Sequence, residues 1–347
     1  MCRPPKAMLD QPDPFGRDAK RPLHIPLRGW WQVIQRVRED SARENLSVVA
    51  AGCAFYAFFA IAPALTAVVS IYGLTADPAY VERHLGILST ILPGEAYDLI
   101  VEQVRRIAST SDRSLTWGFL LSVAVALWSV GSGTQALFAA LNIAYEEAER
   151  RSLVQFYLSA LMFALIGIIA GVMVLFAIVY VPILFASIGL SSTLELVLGV
   201  GRWPFLAVLW LLVLALLYRF GPCRRFAKWR WVTVGSVFAT VVWLAASALF
   251  SVYVAHFANY DRTYGAFGAL VILLFWLYLT FYIVLLGAEI NAEIELQTAM
   301  DTTVGRPKPM GKRGAFVADH VAGGPAGESR PTGPVTRDPA AAKPGHE

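Results

Sequence analysis

Six apolar runs, separated by short charged segments, dominate this chain and constrain what it can fold into. A bilayer core about 30 Å thick asks roughly 20 apolar residues of a spanning helix. Lipid cannot satisfy backbone polar groups, so only helices and closed barrels cross it. The runs 47–72 and 115–141 contain no charged residue; 153–188, 203–218, 231–254 and 264–288 follow. Residues 47–293 are therefore read as an all-α, polytopic membrane domain of six transmembrane helices. Only 16% of the chain is charged and its mean hydropathy is +0.55, whereas a soluble domain is about a quarter charged.

The third run is overlong, since 36 residues would make roughly 54 Å of helix. Pro182 lacks an N–H and clashes with the preceding turn, which places a kink or exit near residues 180–186. The run is then one tilted helix, a kinked one, or a span followed by a re-entrant piece. Sidedness follows from counting Lys and Arg on alternate sides, because cytoplasmic loops retain positive charge. One side carries 23 and the other six. Both termini are thus expected in the cytoplasm, with the protein in a bacterial inner membrane. The first 46 residues hold nine Lys or Arg and no long apolar run, so no cleavable signal peptide is expected.

Flanking segments complete the expected organisation. Residues 26–46 place Trp30, Trp31, Val33, Ile34 and Val37 beside Arg36, Arg38 and Arg43, the pattern of an amphipathic helix lying at the membrane interface with its arginines toward anionic lipid. The external segment 75–114, divided by Pro93 and Gly94, reads as two short amphipathic periplasmic helices that cap the bundle or offer a surface to a periplasmic protein partner. Residues 1–25 and 294–347 are read as disordered, the latter for its Gly, Pro and scattered charge.

Polar groups near the ends of spans are default functional candidates. Asn142, Arg219, Glu289 and Glu293 reach one membrane depth from three helices, and the two glutamates, four apart, share a face. They form a candidate polar cluster on the cytoplasmic side; the plainer reading is that each merely marks an interface where charge is cheap. Pro63 is a candidate kink, and Gly131, Gly133 and Gly265 are candidate kink or gating points. Gly167 and Gly171 have GxxxG spacing suited to helix packing.

Chemistry signatures are sparse. Three distant cysteines imply neither a zinc site nor a disulfide framework. The five histidines show no metal-ligand spacing, and there is no Walker loop or GxSxG elbow. Asp and Glu are too dispersed to predict a two-metal site. No catalytic residue, metal, cofactor or nucleic-acid partner is expected; the expected partners are membrane lipids. The sequence sets no oligomeric state.

Read in order, these motifs resemble the YihY/BrkB family of bacterial inner-membrane proteins over roughly residues 30–293. The likeness rests on the run from Ala54 through Phe58 to Pro63, on Leu141-Asn142-Ile143-Ala144-Tyr145 with Glu149 and Arg150, and on Leu217-Tyr218-Arg219-Phe220-Gly221-Pro222 with Trp231 and Gly235. It rests above all on Tyr264-Gly265-Ala266-Phe267-Gly268 through Trp276-Leu277-Tyr278 to Gly287-Ala288-Glu289-Ile290-Asn291-Ala292-Glu293. Ala62 departs from the family pattern, which has a bulkier Phe there. The resemblance implies a six-helix integral membrane protein and little about mechanism. Some relatives have carried a ribonuclease BN label, for which these residues give no chemical reason. The function expected is a transporter or lipid-handling protein for an anionic or amphipathic substrate; the alternative is a non-transporting scaffold or envelope-homeostasis factor.

Overall fold

The computed structural model of the chain describes residues 13–75, 112–175, 192–257 and 261–322. These residues are helical, with one isolated antiparallel bridge and no strand among them. A single 3₁₀ turn, Pro22–His24, precedes α1 (Leu27–Arg43), α2 (Leu46–Thr75), α3 (Asp112–Ala144), α4 (Leu153–Leu175), α5 (Ser192–Phe220), α6 (Trp229–Phe257), α7 (Asp261–Leu296) and the short α8 (Phe316–Asp319). As far as the described residues reach, each expected apolar run lies on a helix of its own, the third being described to Leu175.

Length and apolarity qualify three of these helices to cross a membrane: 153–171, 229–254 and 270–296. A fourth candidate joins Leu27–Arg43 to Leu46–Ile61 across a 63° bend, and Pro204–Phe220 is a shorter apolar helix. The bent pair is physically two elements, because α1 carries six charged residues and α2 none over its length. Asn45, with φ 51°, makes the corner. Its left-handed conformation ends α1, a position Asn tolerates, and its carbonyl accepts the first amides of α2 from Val48 and Val49.

One departure from the sequence expectation concerns α5, which is already helical at Ser192, well ahead of residue 203, and runs through Pro204. Glycine packing is another. Gly167 and Gly171 face open space, with nothing within 4 Å of an added Cβ. The close helix contact lies at Gly235 and Gly287, where a Cβ on Gly235 would stand 2.0 Å from the Gly287 carbonyl oxygen. There α6 and α7 meet backbone to backbone, the approach only glycine permits.

Residues 13–25 and 297–322, expected as disordered tails, are folded onto the end of the bundle. Ala299 donates its amide to the Arg17 carbonyl, and Gln297 Nε2 donates to that of Phe15. Arg313 donates to the carbonyls of Lys308, Ala318 and Ala299, and Val317 is fully buried. Tertiary partners thus supply the apolar burial and hydrogen bonds that the segments lack alone. The kink expected near 180–186 and most of the external segment 75–114 lie outside the described residues.

Candidate functional site

At the end of the bundle where α1, α3, α5, α6 and α7 converge, polar side chains are buried and tied across helices. Wherever charge enters an apolar interior, its desolvation must be offset by a partner of good geometry. Arg224, in the loop after α5, meets that demand with a two-pronged pair to Glu295 of α7. Its Nη2 stands 2.9 Å from Oε1 and 2.8 Å from Oε2, with both side chains at most 1% exposed. Thr302 donates its hydroxyl to the same carboxylate at 2.6 Å, and the guanidinium lies 4.9 Å from the Tyr145 ring centre. Three stretches distant in sequence, at Tyr145, at Arg224 and at 295–302, are joined there.

Two residues earlier on α7, the Glu293 carboxylate receives Arg36 of α1, whose second nitrogen reaches the Glu293 carbonyl and Gln297 Oε1. The sequence reading turned Arg36 and Arg43 outward to lipid. Arg36 faces inward instead, to Glu293, while Arg43 stays exposed and pairs along its own helix with Asp40 at 2.8 Å. The lipid-type face of α1 is the opposite stripe, where Leu27, Trp31 and Ile34 are exposed while Val33 and Val37 pack with Trp231 and Ile294.

Asp40, Glu289 and Glu293 offer carboxylate oxygens that all lie within 4.8 Å of one another. Chain dispersal hid this grouping, since Asp40 joins only through the docking of α1. Three carboxylates can in principle share a cation. Here the guanidiniums of Arg36 and Arg43 already supply positive charge to two of the three.

Asn142 is the latch between α3 and the loop after α5. It donates to Glu149 Oε2 at 2.9 Å and accepts the Cys223 amide at 2.7 Å. The fold brings it there because α3 ends in a Schellman turn. Glu147 N–H reaches back to the Asn142 carbonyl and Glu146 N–H to that of Ile143, with Glu146 at φ 53°. Glu149 is clamped in turn by Arg151 at 2.7 and 2.9 Å. Burial pushes its carboxyl up, yet the bonds from Arg151 and Asn142 outweigh it and hold the group down to about 2. Glu44 shows the reverse, driven up to about 7 by burial and then by the charge of Glu146.

The four candidates of the sequence reading therefore divide. Glu289 and Glu293 stand together with Asp40. Asn142 binds a different pair of partners. Arg219 points elsewhere, stacked 4.3 Å from the Trp229 ring centre. Gly131 and Gly133 lie inside α3, Gly265 inside α7 and Pro63 inside α2, whose helical backbone continues past it. At Gly133 an added Cβ would meet the α2 backbone at 3.9 Å, ordinary contact that leaves room for alanine.

Two residues escaped sequence reasoning. Glu295 was passed over as part of the tail, and Asn291 was quoted without a role. Fully buried, Asn291 accepts the Gly235 amide at 2.7 Å and donates to the Val232 carbonyl at 3.1 Å, inserting an amide side chain into α6. An Asn at i+2 from one glutamate and i−2 from another was the available signal.

Away from this lock, α2 and α3 border a surface groove of about 730 Å³. Its walls mix aromatic rings, Phe55, Phe59 and Trp128, with the polar Ser129, Ser132 and Gln135. Trp128 is 72% exposed, so the groove opens sideways.

A family profile described as "Virulence factor BrkB" matches residues 37–311. The putative ribonuclease-like protein YfkH of Bacillus subtilis (strain 168) is 33% identical over 225 residues, 62% of this chain and 78% of that protein. The UPF0761 membrane protein PSHAa0171 of Pseudoalteromonas translucida is 24% identical over 79% of this chain and 88% of its own. Another UPF0761 membrane protein, from Azotobacter vinelandii, reaches 49% over 61 residues, covering 18% of this chain and 15% of its own. No solved structure matches.

Proposed function

This chain belongs to the BrkB family of membrane proteins, and from that premise we propose that it handles an amphipathic, lipid-like molecule in the groove between α2 and α3. Helices α2 to α7 are read as six spans in the inner membrane, with both termini on the cytoplasmic side where 23 of the cationic residues fall. The observation that carries the reading is the groove itself. Its volume suits a sizeable ligand, and its aromatic wall carries the hydroxyl and amide groups of Ser129, Ser132 and Gln135, which would be costly within a span unless used.

Reconstitution tests the proposal. Liposomes containing the full chain should move a fluorescent phospholipid between leaflets faster than protein-free liposomes. Ala136→Trp, which fills the groove, should slow that rate several-fold. Equal rates with and without protein over anionic, zwitterionic and lysophospholipid probes would remove the reading.

A second reading, the non-transporting scaffold, draws on the lock. Arg36, Arg224, Asn142 and Asn291 are committed to partners inside the chain, as in an element that holds helices rather than one that contacts a substrate. The ribonuclease-like name borne by YfkH finds no support in the grouped carboxylates. Asp40, Glu289 and Glu293 are at most 3% exposed, out of reach of a nucleic-acid phosphate.

A further inference from the structure

A second groove, of about 410 Å³, lies at the arginine-rich end between α4 and the loop after α5. It stands apart from the α2/α3 groove and does not depend on that groove taking a substrate. Its lining divides in two. Arg150, Arg151, Arg224 and Arg225 gather at one end, while Met162 and Phe163 of α4 form an apolar wall, and no carboxylate lines it.

Two of those arginines have guanidinium capacity in hand. Arg151 is taken up by Glu149, and the Nη2 of Arg224 by Glu295. The Nη1 atoms of Arg224 and of Arg225, in contrast, are buried with no hydrogen-bond partner. Arg224 is 9% exposed overall, so its open donor cannot turn to bulk water. A buried N–H donor without an acceptor is costly; Glu295 already balances the charge of Arg224, so Arg150 and Arg225 carry the positive charge of the groove and the open Nη1 donors add hydrogen-bonding capacity, together a place for an anion with several acceptor oxygens. Guanidiniums match phosphate in this way.

The apolar wall selects among phosphates. Met162 is 52% exposed on α4, nine residues past the helix start at Leu153, which is roughly 14 Å up the helix. A ligand with phosphate at the arginines would lay its next dozen ångströms along this side chain. We infer that this groove binds the phosphate of an anionic phospholipid, headgroup at Arg150, Arg224 and Arg225, acyl chain along Met162 and Phe163. Residue Gly314 of the folded C-terminal segment lines the same groove and accepts the Arg225 amide at 2.9 Å, so the segment's order and the site are linked.

The test uses the purified full chain in detergent, with phosphatidylglycerol, phosphatidylcholine of the same chains and inorganic phosphate as probes, read by native mass spectrometry. Phosphatidylglycerol should bind at least tenfold tighter than phosphatidylcholine. The double variant Arg150→Gln/Arg225→Gln should lose about tenfold toward phosphatidylglycerol, whereas Arg38→Gln, an exposed arginine on α1, should not. Met162→Glu sets a negative charge in the chain's path without touching an arginine and should weaken binding similarly, which guards against a misfolded double variant. Millimolar inorganic phosphate that leaves the lipid bound assigns the site to a lipid; phosphate that displaces it keeps the phosphate site and makes the occupant a soluble anion. Equal affinity for the two lipids, or wild-type affinity in both variants, overturns the inference.

Discussion

At the arginine-rich end, Glu293, Glu295, Arg224, Asn142 and Asn291 are buried and hydrogen-bonded across helices. About 15 Å along α2, the α2/α3 groove is instead bordered by the exposed rings of Phe55, Phe59 and Trp128. The first region spends its polar groups on one another and so fixes the helices. The second leaves polar and aromatic groups at an open wall and so can take a substrate, as distinct from the lipid phosphate proposed for the spare Nη1 donors of Arg224 and Arg225 beside the first. A polar residue in a membrane protein is thus weak evidence of a substrate site until its partners are known.

The largest effect should come from breaking the lock at its driest point. Arg224→Met leaves the buried Glu295 carboxylate with the Thr302 hydroxyl as its hydrogen-bond donor and should cost about 3–5 kcal/mol in thermal or denaturant unfolding in detergent. Arg224→Met/Glu295→Leu should recover much of that loss. Next, Gly235→Ala forces α6 off α7 and should cost about 1–3 kcal/mol, while Gly167→Ala, facing open space, should be neutral or slightly stabilising. Asn142→Ala strands the Cys223 amide and part of Glu149, with an expected loss of about 1–2 kcal/mol.

A pH effect should be confined to the lock. Because Glu44 is raised from 4.5 to about 7, the folded state holds its proton more tightly than the unfolded state does. Its stabilising contribution is complete below pH 4.5 and is lost as pH rises through 7. Glu44→Gln should therefore raise the melting temperature at pH 8, by about 1 kcal/mol in stability, and change little at pH 4.5. A variant that stabilises equally at both pH values would show that the charge of Glu44 is not the cause. Smallest of all, Ser132→Leu in the open groove should shift stability by no more than about 0.5 kcal/mol while lowering lipid movement.

How far the sequence could be read follows the range of the forces involved. The helices were legible because each apolar run is local and long, and the Glu289/Glu293 pair because four residues make one turn. Their partners were not. Arg36 meets Glu293 across 257 residues and Arg224 meets Glu295 across 71, and nothing in α1 alone distinguishes an arginine turned inward from one turned to lipid. Residues 297–322 read as disordered because Gly, Pro and charge cannot bury themselves; Arg313 reaching three carbonyls is a tertiary event with no local signal. The groove was invisible for the same reason, since Phe55 and Trp128 look alike whether they face lipid, a neighbour or a cavity.

The division between a fixed end and a receptive groove is tested most directly by photo-crosslinking in native membranes. A benzophenone amino acid would replace Trp128 at the groove or Leu249, which is 72% exposed on α6 away from it. The account predicts a discrete amphipathic adduct at position 128 that survives detergent washing, and none of comparable yield at 249. Equal adducts at both positions, or none at 128, would contradict it.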